Sequence, residues 1–512
     1  MKIVVTGGSG FLGKHLIAAL LEDGHKVTAL GREEIKDSRL RWLKHDLVEQ
    51  PFEALQNEVK EAEVMIHLAA IMPSKMKDRT TGITDTAIIQ KNKLMMEHAL
   101  SLANSSKSLK QFIFASSVDV YPYSDGIVDE SIPLNPVSAY GQSKKESEDL
   151  CWQWGKKNPD VSLTMLRFSH MYGPADTNHK MIDMLVRNAL LGKKSIIYGE
   201  GNDKRTYLFV EDAVKAILLC LQKKDEAKGI FNVGGAQSYS VKEIISAVEE
   251  MFKLEVDIEK RIAGKKSGSS IVSSAKVEKT IGFIPKTDLR SGLLKLVPKN
   301  IFFDLDGPIL DVKKRYYAVY RDFVVKNNGK PLALDEYWEQ KRMNVSLEKL
   351  LQMSGCGGLV VEHKKYLSLH REEYAFLQLD ELQPRVRELL SHLSKRHNLY
   401  LITLRRNTEN LLRQLKELNI LSFFAKVLSV APTSESKWQH KVDLLSEDGL
   451  QLKAGIIIGD TPTEILAARK VGFTSVGVAN GIRTKDILIK AEPHLVVESV
   501  KQLESLPFYR EF

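Results

Sequence analysis

Residues 300–311 read Asn300-Ile301-Phe302-Phe303-Asp304-Leu305-Asp306-Gly307-Pro308-Ile309-Leu310-Asp311. The apolar run at 301–303 suits a short strand buried inside a parallel sheet. It delivers two carboxylates, Asp304 and Asp306, to its C-terminal end, where Gly307 can turn the chain without a steric penalty. That end of a strand is where α/β folds bind ligands. The chain divides about this stretch. The residues before it read as one α/β unit, and those after it form a second unit built outward from Asp304.

With 512 residues the chain is long enough for two to four domains. Its 43% apolar and 27% charged residues are those of a soluble globular protein. Cys151, Cys220 and Cys356 form no metal-like spacing, and so sparse a set points to a reducing compartment and a cytoplasmic location. The first apolar run is interrupted by Gly7 and Gly8, too early for a signal peptide, and no run has the length of a bilayer. The net charge of +9 comes from lysines and arginines scattered among acids. This pattern suits anionic phosphate substrates and gives no reason to expect nucleic acid or a membrane. Small molecules, and at most a second copy in a homodimer, are the expected partners.

In the first part an apolar strand at 2–5 leads into Thr6-Gly7-Gly8-Ser9-Gly10-Phe11-Leu12-Gly13, and helical apolar spacing comes next. Glycines between a strand and a helix give a tight turn, room for a pyrophosphate, and close helix–strand contact. The second strand, at 26–30, ends in Gly31-Arg32, where an acid would hold a ribose 2′-hydroxyl. Arg32 suits the 2′-phosphate of NADP and equally suits a solvated loop. Asp46-Leu47 follows the third strand. Residues 64–70 read as a fourth, with His67 expected to pack and the small Ala69 and Ala70 expected to admit a cofactor. Another strand ends in Ser116-Ser117. Beyond it, Tyr140 and Lys144 are four apart and share one helical face. There an ammonium would pull a phenol toward neutrality.

These motifs resemble an extended short-chain dehydrogenase/reductase of the nucleotide-sugar epimerase/dehydratase family, a Rossmann domain with a small substrate-binding subdomain, over residues 1–297. The match continues through the stretches at 166–174, 205–212 and 231–235. The resemblance implies NAD or NADP on Gly7, Gly10, Phe11, Leu12, Gly13 and Arg32, then on Asp46, Leu47, Ala69, Ala70, Tyr140 and Lys144. It makes Tyr140 the proton-transfer residue, Lys144 its tuner, Ser117 the group orienting a sugar hydroxyl, and Arg205 a contact to nucleotide diphosphate. His170 and His179 are candidates to line the substrate pocket, with structural roles as the alternative. Val118 and Asp119 stand where the family's dehydratases carry an acid pair, so elimination lacks its usual acid.

Beyond residue 300, Asp304-Leu305-Asp306-Gly307 with Asp311 resembles the first motif of the haloacid dehalogenase-like hydrolases. Strand ends at Thr403 and at Gly459-Asp460, with Lys437 between, come in that family's order over 300–512. The resemblance implies a second Rossmann-like domain with a helical cap at about 315–384. It makes Asp304 the nucleophile and Asp306 the general acid/base. Thr403 and Lys437 would hold phosphoryl oxygens, and Mg²⁺ would sit on Asp304, Asp460 and the Asp306 carbonyl. Glu464 stands where aspartate is commoner, and the aromatics at 316, 317, 320 and 338 are expected to pack. The expected whole is a bifunctional carbohydrate-pathway enzyme, an epimerase/reductase on a sugar or nucleotide sugar joined to a phosphatase on a small phosphate ester. The rival readings are a non-catalytic dinucleotide-binding first half, a phosphotransferase second half, or one active half.

Overall fold

The computed structural model describes residues 1–49, 53–72, 84–124, 126–178, 180–262, 268–433, 436–447 and 449–509. Two compact units divide it: Met1–Val186 with Lys194–Leu296, and Val297–Phe512 with Arg187–Lys193.

The first unit is built on seven parallel strands. Their order is Gly229–Val233, Ser162–Phe168, Gln111–Ser117, Val64–His67, Lys2–Thr6, Lys26–Gly31, Arg41–Lys44. The chain starts at Lys2–Thr6, winds outward to Arg41–Lys44, and returns to Val64–His67 on the other side. A crevice opens at that reversal, over the carboxyl ends of the strands. Val64–His67, Gln111–Ser117 and Ser162–Phe168 are buried throughout, as expected of strands covered on both faces. A second, small sheet pairs Lys204–Phe209 in parallel with His170–Tyr172 and antiparallel with Ser238–Ser240.

The second unit has six parallel strands in the order Phe424–Ser429, Asn398–Thr403, Asn300–Phe303, Gly455–Gly459, Thr474–Val478, Leu495–Val497. Asn300–Phe303 is fully buried between Asn398–Thr403 and Gly455–Gly459, so Asp304 leaves the sheet at its centre. Helices Lys313–Lys326, Leu334–Arg342, Leu347–Met353 and Val360–His370 form the cap. The cap has its own core of Tyr320, Phe323, Val324, Tyr337, Leu350 and Leu351, against which Tyr316, Tyr317 and Trp338 pack. These aromatics do the packing expected of them. The two-residue strands Leu310–Asp311 and Glu381–Leu382 pair antiparallel where the chain enters and leaves the cap. No described helix is long and apolar enough to cross a membrane.

Candidate functional sites

In the first unit, Gly7 adopts φ +73°, and a Cβ there would lie 2.6 Å from the Ala69 nitrogen. A Cβ on Gly13 would lie 2.4 Å from the Gly7 oxygen. The turn is therefore pressed against the end of Val64–His67, next to Ala69 and Ala70. Helix Phe11–Glu22 starts from Gly10 with no side-chain cap, so its first N–H groups face the crevice without a side-chain acceptor. This is a cradle for a pyrophosphate, and a dinucleotide fits it. Leu12 and Leu47 are buried, Asp46 Oδ1 accepts from the Val48 amide, and Arg32 is exposed.

Ser117 ends its strand, and its Oγ accepts from the Asp119 amide at 3.1 Å. Ser138 caps helix Ala139–Lys157, which places Tyr140 in the first turn and Lys144 one turn on. Lys144 Nζ donates to the Ala115 carbonyl at 2.7 Å and lies 5.7 Å from the centre of the Tyr140 ring. Burial holds its pKa down to about 8. The expected neutralising pull on Tyr140 is outweighed here, because burial and then the Asp119 carboxylate hold the phenol above its ordinary range. Val118 faces an apolar cluster with Val120, Tyr121 and Val128, so that position supplies no acid. His67 is a packed residue: it meets Thr6 Oγ1 at 2.7 Å and stacks on Phe114. Arg205 and His170 come together on the small sheet at 3.4 Å. His179 lies outside the described residues.

Beneath the Tyr140 helix runs a network the sequence reading missed. Glu148 takes two bonds from Arg167, at 2.9 and 2.6 Å, and one from Ser116 Oγ at 2.5 Å. Arg167 also donates to the Tyr121 hydroxyl at 2.6 Å. All four are buried. The network fixes the carrier helix against the strand that ends in Ser117.

In the second unit, Asp304 projects from the tip of the central strand, its amide bonded to the Ile458 carbonyl. Thr403 is buried at the tip of the neighbouring strand, two residues beyond the partner of Phe303. The lysine at this site is Lys441. Its Nζ lies 2.9 Å from Asp304 Oδ1 and 2.5 Å from Glu464 Oε1, and all three residues are buried. Lys437 stands one helical turn earlier on Lys437–Glu447, more open to solvent, with Glu464 and Lys441 within electrostatic reach. Glu464 also closes a capping box with Thr461 at the start of helix Pro462–Val471.

Oxygens of Asp304, Asp460 and Glu464 lie within 4.8 Å of one another. Asp460 Oδ2 accepts from the Ile482 amide, while Oδ1 is buried without a partner. Burial, followed by the neighbouring carboxylates Asp304 and Glu464, pushes the Asp460 carboxyl far up. Burial raises Asp304 to about 7 despite Lys441. Three crowded carboxyl groups with one orphaned oxygen fit a divalent cation. Gly307 and Gly481 wall this site: a Cβ on either would lie 1.9 or 2.1 Å from Asp460 Oδ2.

Asp306 differs sharply from Asp304. Its carboxylate is clamped by Arg315 at 2.7 Å and Arg405 at 2.5 Å, both buried. Arg315 also pairs with Asp380 at 2.9 Å. The two arginines overcome burial and hold Asp306 below the usual carboxylate range. Arg315, Arg405 and Asp380 were absent from the sequence reading, and no motif spacing connects them.

Residues 3–234 match the NAD dependent epimerase/dehydratase family, and residues 301–478 match haloacid dehalogenase-like hydrolase. The chain is 30% identical over 311 residues to an uncharacterized UDP-glucose epimerase, YtcB, of Bacillus subtilis, covering 57% of this chain and 96% of that one. A putative UDP-glucose 4-epimerase of Methanocaldococcus jannaschii is 28% identical, over 58% of this chain and 97% of its own length. Among solved structures, UDP-glucuronic acid 4-epimerase from Bacillus cereus in complex with UDP-glucuronic acid and NAD superposes with TM-score 0.52. It is 25% identical and covers 57% of this chain and 97% of its own. MoeE5 in complex with UDP-glucuronic acid and NAD gives 0.51 at 27% identity, over the same shares.

Proposed function

Since the chain belongs to the NAD dependent epimerase/dehydratase family through its first unit and carries a haloacid dehalogenase-like hydrolase domain in its second, we propose an enzyme with two chemistries. The first unit is an NAD(P)-dependent epimerase acting on a uridine diphosphate sugar. The second is a Mg²⁺-dependent phosphatase of a small phosphate ester. The observation that carries the second reading is Asp304 at the centre of the sheet, between Lys441 and the Asp460–Glu464 pair.

In the first unit, Ser117 would orient a sugar hydroxyl and Tyr140 would take its proton. NAD, when bound, accepts the hydride and brings a positive charge that favours the phenolate. Lys144, anchored on Ala115, adds to that charge and holds the ribose. The UDP-sugar and NAD named for the structural relatives support this substrate and cofactor. Arg32 suits NADP. Titrating NAD and NADP against wild type and Arg32→Ala decides between them: a preference for NADP that falls in the variant assigns Arg32 to the 2′-phosphate.

In the second unit, Asp304 would attack phosphorus as the ester oxygen departs, giving an aspartyl-phosphate that water then cleaves. Mg²⁺, when bound by Asp304 and Asp460, offsets the charge on nucleophile and phosphoryl group. Lys441 keeps Asp304 placed, and Thr403 would hold a phosphoryl oxygen. Asp306 would protonate the leaving oxygen and later take the proton of the attacking water. That role requires substrate to draw Arg315 or Arg405 off its carboxylate. While clamped, Asp306 is ionised: it can take a proton from the acceptor, whether water or another hydroxyl, but has none to give the leaving oxygen. The test is phosphate release from wild type, Asp304→Asn and Asp306→Asn. Loss in Asp304→Asn supports the nucleophile, and release that survives it rejects the assignment. Unimpaired release in Asp306→Asn removes that residue from proton transfer.

A further inference from the structure

Four cations from separate elements of the second unit, Lys341, Arg371, Lys437 and Arg483, lie close enough to act on one another electrostatically. Lys341 stands near the end of cap helix Leu334–Arg342, and Arg371 comes just after cap helix Val360–His370. Lys437 begins helix Lys437–Glu447, and Arg483 comes after Gly481 and Ile482 on the Asp460 wall. Arg483 donates to the Lys341 carbonyl at 2.9 Å. Lys341 Nζ sits 5.3 Å from the centre of the Tyr316 ring, and the Tyr316 hydroxyl points at Asp306 Oδ2, 3.5 Å away. The cluster is therefore joined to the reacting end through one aromatic side chain.

Direct ion pairs among the described residues do not balance it. Among the described residues, Lys341, Lys437 and Arg483 have no acidic partner in an ion pair. Arg371 reaches only Glu372, at 3.7 Å, and that carboxylate already accepts from the Arg406 and Asn407 amides. Arg371 Nε is buried with no partner. Glu464 pairs directly with Lys441, and Asp460 accepts from the Ile482 amide; both act on Arg483 only at a distance. The like charges act on one another: burial, then Arg483, Arg371 and Lys437, push Lys341 down to about 7. Positive groups crowded together with few direct ion pairs are held against their own repulsion, and an anion placed among them relieves it.

A transferring phosphoryl group would have its own partners, in Thr403 and the cation site. We propose that the ester cleaved by the second unit carries a second anionic group, a carboxylate or another phosphate, received by Lys341, Arg371 and Arg483. This rests on the phosphoester reading of the Asp304 site. Substrates with neutral tails leave the cluster unmatched, so the cap selects by charge as well as by shape.

The test is binding to the intact Asp304→Asn chain with Mg²⁺ by calorimetry, using matched pairs of probes. 3-Phosphoglycerate against glycerol 3-phosphate reads a carboxylate. Fructose 1,6-bisphosphate against fructose 6-phosphate reads a second phosphate. The doubly anionic member of at least one pair should bind tighter by about tenfold or more, and Lys341→Met and Arg483→Gln should each shrink that ratio. Equal affinities within both pairs, no binding of any probe, or a ratio indifferent to both substitutions overturns the proposal. Phosphate release by the wild-type chain is measured in parallel. Selective binding without release keeps the second anion and removes the hydrolase, whereas release without selectivity does the reverse.

Discussion

At the residue scale, two lysines one turn apart stand differently toward Asp304. Lys441 is buried against Asp304 and Glu464, while Lys437 is exposed. Removing one partner of a buried pair leaves an uncompensated charge, which costs about 3–5 kcal/mol. Without that ammonium Asp304 and Glu464 also repel one another and the nucleophile loses its placement, so phosphate release should fall by ~100-fold or more in Lys441→Met and by less than about tenfold in Lys437→Met, read as kcat/KM at saturating Mg²⁺. Equal losses would return the role to Lys437. The sequence could not separate the two, because spacing four puts both on one face and only the depth of the helix decides. The fate of Asp306 was hidden for a similar reason: its clamp comes from Arg315, 9 residues on, and Arg405, 99 residues on. His67 supports a stability prediction. Burial, then Lys144, depresses its pKa to about 3, so it stays neutral when folded, while the unfolded chain takes a proton below about 6.5. Its contribution is complete above pH 6.5 and is lost as pH falls toward 3. Between pH 7 and pH 5 wild type should lose about 2 kcal/mol more than His67→Asn in urea unfolding. Identical pH dependence would mean that His67 is not buried neutral.

At the element scale, strand tips were readable and helix seats were not. Asp304, Thr403, Asp460 and Ser117 could be placed because an apolar run must end where a polar residue or glycine appears. The seat of helix Ala139–Lys157 depends instead on contacts with no linear signature. One is Gly141, where a Cβ would lie 2.0 Å from the Asp119 carbonyl oxygen. The helix crosses the turn after Ser117 so closely that only hydrogen fits. Gly141→Ala must lift the first turn, and Tyr140 with it, away from Ser117. Overpacking of this kind costs about 1–3 kcal/mol. We expect kcat for epimerisation to drop by about tenfold or more while NAD affinity, set by the turn at Gly7 to Gly13, holds. Loss of NAD binding in parallel would show that the disturbance reaches the crevice.

At the scale of the whole molecule, the Tyr140 and Asp304 sites draw on separate sheets and separate cores. Tyr140→Phe should therefore stop epimerisation and leave phosphate release unchanged, and Asp304→Asn should do the opposite. Reciprocal damage, read by assaying both activities on each purified variant, would reject that independence. The two-sheet plan was legible because each sheet announces itself by a glycine or aspartate turn after a buried strand. The clustered cations of the second unit were not, since they come from four elements that only the fold brings together. The wall around Asp460 has one last consequence, for tolerance to change. Gly481 contributes no functional group, and it owes its identity to an absent methyl: its Cβ would take the space of a carboxylate oxygen. In a survey of every substitution along the chain, position 481 should be as intolerant as Asp460, twenty-one residues from it. A search for essential chemistry would find there a residue whose whole contribution is vacancy.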